Sequence, residues 1–277
     1  MVFPDEFIEA ITSISTGDEE TQETIKKAKT HDWMQEHNIN YRKAVQNNLF
    51  AGNPNITEIP EFDFSQVTNF YRMFYNCSGL TKIHSIDTSN GENFGEMFRG
   101  CTSLSEIPPL NTSKGTNMTR MFNHFKGVSL PWTIDTSNVT SFEYMFSGSS
   151  VKEITLTTTN NCVNFSRMFE WCSNLKSVST LDLSNSTDNT DMFQSCSNLE
   201  TISFVPETIK LSIVIPSANL TIESIQSIFD GLATVETAQT LTLHADAKIL
   251  QSQVDSANAK GWTVAGGTVV SEEEYYG

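Results

Sequence analysis

The sequence predicts a solenoid of short α/β coils, flanked by a helical N-terminal region and an α/β C-terminal cap. Three observations predict it. The dipeptide Met-Phe recurs at Met73-Phe74, Met97-Phe98, Met121-Phe122, Met145-Phe146, Met168-Phe169 and Met192-Phe193, in steps of 24, 24, 24, 23 and 24 residues. Residues three apart on both sides of each pair are mostly apolar, as in Phe70, Cys77, Leu80 and Ile83. The remainder of each period is polar and of turn type, as in Asp87-Thr88-Ser89-Asn90. A unit this short cannot bury its own apolar face, and stacking copies of it can.

Each element follows from the period. Stepping back 24 residues from Met73 reaches Leu49-Phe50, a degenerate first copy, so about seven coils span residues 49–205. Val139, Phe142, Met145 and Phe146 share one face of a helix of about two turns. Ser137 or Asn138 is its candidate N-cap. A helix that short is marginal alone and depends on packing. After each Phe come Cys77, Cys101, Phe125, Ser149, Cys172 or Cys196, then Leu80, Leu104, Val128, Leu175 or Leu199, then Ile83, Ile107, Val178 or Ile202. The Leu-x-x-Ile piece reads as a short strand, and the Asp-Thr-Ser-Asn piece as a turn. The 23-residue step arises where Ser149-Ser150-Val151 lacks one residue. Neighbouring coils are expected one parallel-strand spacing apart, ~4.8 Å. The twelve Met-Phe residues (Met73, Phe74, Met97, Phe98, Met121, Phe122, Met145, Phe146, Met168, Phe169, Met192 and Phe193) are the predicted core.

The pattern Met-Phe-x-x-Cys-x-x-Leu-x-x-Ile followed by Ile-Asp-Thr-Ser-Asn resembles the BspA-type leucine-rich repeats, in their Met-Phe variant. The likeness covers about residues 49–205. It departs at Phe125, Val128 and Leu130 in one coil and at Asn189 in another. The resemblance implies a right-handed leucine-rich-repeat solenoid used in adhesion or protein interaction, found on bacterial and protist surfaces and in phage particles, with no catalysis and no cofactor. The pieces Leu220–Ile225, Thr240–Leu243 and Ala259–Val264 are similar to a terminal unit that follows such arrays in phage and prophage proteins.

The ends differ from the array. Residues 1–48 read as one or two helices that cap the stack or dock it. In residues 206–277, Leu211, Ile213 and Ile215 alternate as a strand. A helix opens at Leu220-Thr221-Ile222-Glu223, and Leu241-Thr242-Leu243 is a further strand. A second helix is expected over about Ala245–Ala259, with Gly261 as its stop.

The chain has 277 residues with 17 basic and 33 acidic side chains, a formal net charge of -16. Nucleic-acid phosphates and anionic membrane surfaces need the opposite balance. No apolar run reaches the length of a membrane span. The start, MVFPDEFIEA, lacks the basic and apolar regions of a secretory signal, which suits either a chain made and used without export, the reading its initial Met favours, or one whose signal has been removed. Five cysteines without that signal read as buried free thiols, although Cys77 and Cys101, or Cys172 and Cys196, would lie within disulfide reach on adjacent coils. The five histidines (His31, His37, His84, His124 and His244) have no metal or triad spacing. The Asp column (Asp87, Asp135 and Asp182, with Asn111 and Thr157 between) supplies too few oxygens per coil for calcium and reads as turn-forming. Five aromatics interrupt polar slots: Tyr71, Tyr75, Trp132, Tyr144 and Trp171. If exposed, they suit a protein or glycan contact.

These readings lead to a non-enzymatic expectation. The chain would be a structural or attachment component of a phage virion, in a tail or head appendage. Its partners would be other virion proteins, with a host receptor or glycan, or copies of itself, as further partners. A bacterial cell-surface adhesin of the same repeat family is the alternative.

Overall fold

The computed structural model describes residues 50–59, 64–127, 130 and 132–276, so the expected N-terminal helices lie outside the described residues. The chain winds as a β-solenoid of about nine coils with few helices. A column of parallel bridges marks the start of each repeat: Asn69 to Asn93, Asn93 to Asn117, Asn117 to Ser141, Ser141 to Asn164, and Asn164 to Asp188. Short parallel pairs recur at the far side of the coil. β1 (Glu58–Ile59) pairs with β2 (Lys82–Ile83), and β3 (Glu153–Ile154) pairs with β4 (Ser177–Val178).

The Met-Phe segment is not the helix its spacing predicts. Its amides alternate between two kinds of partner. In the Met97 coil, the N–H groups of Phe94, Glu96, Phe98 and Gly100 donate to the carbonyls of Asn117, Thr119, Met121 and Asn123 in the next coil, at 2.9–3.0 Å. Those of Met97, Arg99 and Cys101 close tight turns onto Phe94, Glu96 and Phe98, each at 3.2 Å. The leftover Gly95 amide donates to its own coil's Asn93 Oδ1 at 3.0 Å. Every backbone donor of the segment is thereby satisfied without a helix.

The alternation requires left-handed backbone at two positions per coil. Arg72, Glu96, Arg120, Tyr144, Arg167 and Asp191, each just before the Met, have φ of 54–56°. Gly52, Asn76, Gly100, His124, Gly148, Trp171 and Ser195 form the second column, with φ of 55–74°. Positive φ at the third residue of a turn is the signature of type II geometry and is incompatible with an α-helix. The predicted N-cap is corrected too. The Ser137 amide and hydroxyl donate to Asp135 Oδ1 at 3.0 and 2.6 Å, and Asn138 Nδ2 donates to the Ser113 carbonyl of the previous coil at 2.8 Å.

Side chains align in register through the interior. The predicted core pairs are buried, with Met73 and Met192 at 1% exposure and the other ten at 0%. The rings of Phe50, Phe74, Phe98, Phe122, Phe146, Phe169 and Phe193 form one continuous stack, with centroids 5.4–5.8 Å apart and planes within 15°. That separation exceeds the strand spacing, so the rings are offset, the arrangement their quadrupoles favour. The irregular coil is accommodated locally. Phe125 enters the cysteine column and tilts 57° against Phe122. A Cβ on Gly127 would sit 2.2 Å from the Phe125 ring, so the glycine makes room for it. Asn189 ends the second phenylalanine column, and its Nδ2 reaches the Leu211 carbonyl at 3.5 Å.

Polar columns lace the outside of the coils. Asp87, Asn111, Asp135 and Asp182 each accept the amide two residues on, at 2.9–3.1 Å. A column of buried threonines donates to carbonyls of the following coil: Thr88, Thr112 and Thr136, next to Asp87, Asn111 and Asp135, reach Asn111, Asp135 and Thr158, and Thr159, next to Thr158, reaches Asp182. One oxygen of each aspartate, Oδ1, is thus held by the turn backbone. Among the described residues, no group of three or more His, Cys, Asp or Glu is placed to hold a metal ion.

Residues 206–276 leave the 24-residue spacing but stay in the stack. Ile209 bridges Leu232 in parallel. β5 (Ile213–Ile215), β6 (Gln239–Leu243) and β8 (Trp262–Ala265) form a parallel sheet in that order. α1 (Ile222–Gly231) opens as expected, with the Thr221 hydroxyl accepting the Ser224 amide, and buries Ile225, Ile228 and Phe229. The second helix is shorter than expected. β7 (Lys248–Leu250) pairs with β9 (Thr268–Val270), which removes residues 248–250 from it, and α2 spans only Gln251–Ala259. Gly261 stops it with φ of 91°, and α3 (Glu272–Tyr276) follows. Among the described residues, no helix is long and apolar enough to cross a membrane.

Candidate interaction surface

The two left-handed columns lie on one side of the solenoid, where Tyr71, Arg72, Tyr75, Arg99, Arg120, Tyr144, Arg167 and Trp171 reach the surface, while Glu96, Asn123, Ser147 and Glu170 are buried among them. Chain geometry explains why. Met and Phe of each pair point inward, which leaves the long side chains flanking the pair to run out along the surface. Every arginine among the described residues sits there: Arg72, Arg99, Arg120 and Arg167. The described lysines lie in other columns.

Each guanidinium is held by a carboxylate and a ring. Arg72 donates to Glu96 Oε1 at 2.9 Å and lies 5.0 and 5.1 Å from the ring centres of Tyr71 and Tyr75. Arg99 donates to Glu96 Oε2 at 2.8 Å and lies 5.5 Å from Tyr75. The Tyr71 hydroxyl donates to Glu96 Oε1 at 3.1 Å. Burial works to raise the Glu96 carboxyl, yet the hydrogen bonds from Arg72, Arg99 and Tyr71 outweigh it and hold it below the ordinary carboxylate value. Further along, Arg120 donates to Glu143 Oε1 at 2.9 Å and lies 4.5 Å from Tyr144. Arg167 donates to the Tyr144 hydroxyl at 2.8 Å, lies 5.4 Å from its ring, and pairs with Asp191 at 3.2 Å and Glu170 at 3.6 Å.

Small residues make space for these side chains. A Cβ on Gly95 would approach the Tyr71 ring to 3.1 Å, and one on Gly148 would approach His124 Nδ1 to 2.5 Å. Desolvation, with Lys126 and Arg99 nearby, keeps the His124 imidazole below its ordinary value. Trp171, at 56%, is the most exposed of the face's aromatics.

Four of the five aromatics singled out in the sequence therefore share this face: Tyr71, Tyr75, Tyr144 and Trp171. Trp132 does not. Its ring packs against the core, and its Nε1 donates to the Ile107 carbonyl at 3.4 Å. The arginines and Glu96 were missed, although Arg72, Arg120 and Arg167 recur in one column at steps of 48 and 47 residues. Fixed guanidinium–ring pairs present planar donors and flat apolar area together, the combination used in protein contacts.

Elsewhere, two open grooves of about 520 and 620 Å³ meet at Pro108-Pro109, one lined by His84 and Asp87, the other by Glu58, Lys82 and Glu106. His84 Nε2 pairs with Glu58 Oε2 at 3.3 Å. All five cysteines are buried and free. Burial pushes Cys77 and Cys162 up to about 12 and Cys172 to about 11.

These features define a repeat protein: a β-solenoid with one aromatic, arginine-bearing face. The chain belongs to the family described as Mycoplasma protein of unknown function, DUF285, whose model matches residues 43–150 and 110–203, more than half of the chain. The two matched segments overlap, as expected where a family model spans several coils of a longer array. No curated protein and no solved structure matches the chain.

Proposed function

We propose that the chain is a non-enzymatic interaction protein, built as a leucine-rich-repeat solenoid of the BspA type and serving as a structural or attachment component of a phage particle. The observation that carries the interaction role is the gathering of all described arginines with Tyr71, Tyr75, Tyr144 and Trp171 on one solenoid face. The buried leucine column of Leu80, Leu104, Leu175 and Leu199 supports the repeat assignment. The terminal unit around α1, β6 and β8, similar to that of phage and prophage proteins, supports the setting. A second reading is a bacterial cell-surface adhesin of the same repeat family; the family description names a bacterium, Mycoplasma, and gives no function.

Mass spectrometry of density-purified particles, run beside surface biotinylation of intact cells, tests both. A fixed ratio to the capsid protein through the gradient is the result expected. Labelling on intact cells with none in particles would move the assignment to the adhesin. A chain found in neither fraction would sink both settings.

A further inference from the structure

The ladder that joins neighbouring coils on the far side is open at one junction. Where β4 meets the next coil, the Val178 N–H donates to the Thr201 carbonyl at 3.0 Å, and the Glu200 and Thr201 N–H groups donate to the Lys176 carbonyl at 2.8 and 2.9 Å. Ile83, Ser105 and Glu106 hold the corresponding places where β2 meets the next coil. Among the described residues, none of these three N–H groups is hydrogen-bonded, and neither is that of Ile107. The Lys82 and His84 amides point to the preceding coil, onto the Thr57 and Ile59 carbonyls at 3.3 and 3.4 Å, so the Ile83 N–H and C=O between them point to the open side. The Ile107 segment is seated on the following coil instead. Trp132 Nε1 donates to its carbonyl at 3.4 Å, and a Cβ on Gly127 would lie 2.5 Å from the Ser105 carbonyl oxygen. The larger groove, about 620 Å³, is lined by Thr81–Ile83 and by Ser105–Ile107, and the smaller continues along His84–Asp87 and Pro108-Pro109.

We propose that this seam accepts an extended peptide of a partner protein, which adds as a short strand along the Thr81–Ile83 edge and brings a basic side chain to Glu106. An edge with unmet donors and acceptors is a template for strand addition, in which backbone bonds supply affinity and side chains supply selectivity. The charged residues on the two grooves are Glu58, Asp87 and Glu106 against Lys82 and His84. Glu58 is held by His84, whereas Glu106 is exposed and has no ion pair among the described residues. It is therefore the carboxylate left to receive a cation, and a formal charge of -16 favours the approach of a basic segment. The edge is short, ~10 Å for the stretch around Ile83, so an isolated peptide should bind with a Kd of only about 0.1–1 mM. The seam lies on a different side of the coil from the arginine face, and the inference rests on neither the virion nor the adhesin setting.

Amide hydrogen exchange on the full chain, read by NMR, tests the seam first. The Ile83 amide should exchange about 100-fold or more faster than the Val178 amide, although both residues are buried. The probe for the occupant is the blocked hexapeptide acetyl-Lys-Val-Lys-Val-Lys-Val-amide at about 5 mM, enough to saturate so weak a site. It should slow exchange at Ile83, Ser105, Glu106 and Ile107 and leave Val178 unchanged. Two analogues, N-methylated on the valines or on the lysines, each lose the donors of one strand edge, and at least one should bind about 10-fold more weakly. Glu106→Lys, on an exposed side chain, should weaken binding by about 5-fold with an unchanged melting temperature. Ile83→Pro, which removes the open donor, should weaken it by about 10-fold, and the methylated analogues decide the matter if that variant misfolds. Equal protection of Ile83 and Val178 in the free chain would overturn the proposal. So would slowing that is absent from the seam or spread over the acidic surface, two analogues that bind as tightly as the parent, or an indifferent Glu106→Lys.

Discussion

The Cys101 thiol lies 3.0 Å from the Phe74 carbonyl oxygen and donates to it across the junction between two coils. Cys77 does the same to Phe50, Cys172 to Phe146 and Cys196 to Phe169, at 2.9–3.0 Å. The cysteine column is thus a repeated donor that fills core volume and satisfies a carbonyl at once.

Buried, hydrogen-bonded thiols react slowly. With Cys77 and Cys162 pushed up to about 12, their thiolate population at pH 8 is orders of magnitude below that of a free cysteine. Iodoacetamide should leave all five cysteines unmodified in the native chain and label all five in urea. Rapid native labelling of Cys172, read by intact mass, would refute the burial of that column.

The same thiols make stability depend on alkaline pH. Their folded values lie above the unfolded value of about 8.5. Their contribution is therefore complete below about pH 8.5 and is lost as pH rises toward about 11 for Cys172 and about 12 for Cys77. Melting temperature should fall through that window, and less steeply in Cys172→Ala than in the native chain.

Glu96 acts with the opposite sign. Its folded value lies below the unfolded value, so its contribution is present above about pH 4.3 and is lost as pH falls through the depressed value. Glu96→Gln should be less stable than the native chain at pH 7 by about 1–3 kcal/mol. The difference should narrow in urea titrations below pH 4. A gap independent of pH would place the effect in packing instead.

The phenylalanine stack should tolerate no gaps. Phe146 packs between Phe122 and Phe169, with centroids at 5.4 and 5.6 Å. Phe146→Ala should cost about 3–5 kcal/mol in denaturant unfolding. Met145→Asp buries an unpaired charge and should unfold or loosen the array. An unchanged melting curve for either would count against the core.

Left-handed positions give a reciprocal test. Ser195 has φ of 64°, so Ser195→Gly should be neutral or stabilising by up to about 1 kcal/mol. Ser195→Val should destabilise by about 1–2 kcal/mol, because a β-branched residue fits that backbone poorly. Thermal melts of the two variants should move in opposite directions.

The period, the buried columns and the strand at Ile213 were legible in the sequence because stacking demands that one residue type recur at one depth. The backbone between them was not. Buried residues at Val139, Phe142, Met145 and Phe146 have helical spacing because overlapping tight turns also return the chain to the same side about every three residues. The discriminating signal was the glycines at 52, 100 and 148, three residues after the Met position, where an L side chain is disfavoured. In the column before the Met, Arg72, Glu96 and Tyr144 adopt the same backbone without a glycine to mark it. The interaction face was half legible for that reason. Its aromatics stand out among polar neighbours, whereas its arginines look like ordinary solvated residues until the coils align them.

The amides that tie Phe94, Glu96, Phe98 and Gly100 to the following coil have one further consequence. Each coil offers its successor the same edge it received, so a gene that gains or loses a whole copy still encodes matching surfaces at the new junction. Molecules of this build can change reach by recombination in increments of a single rung, while a frameshift in spacing of even one residue must be absorbed locally, as it is after Ser149.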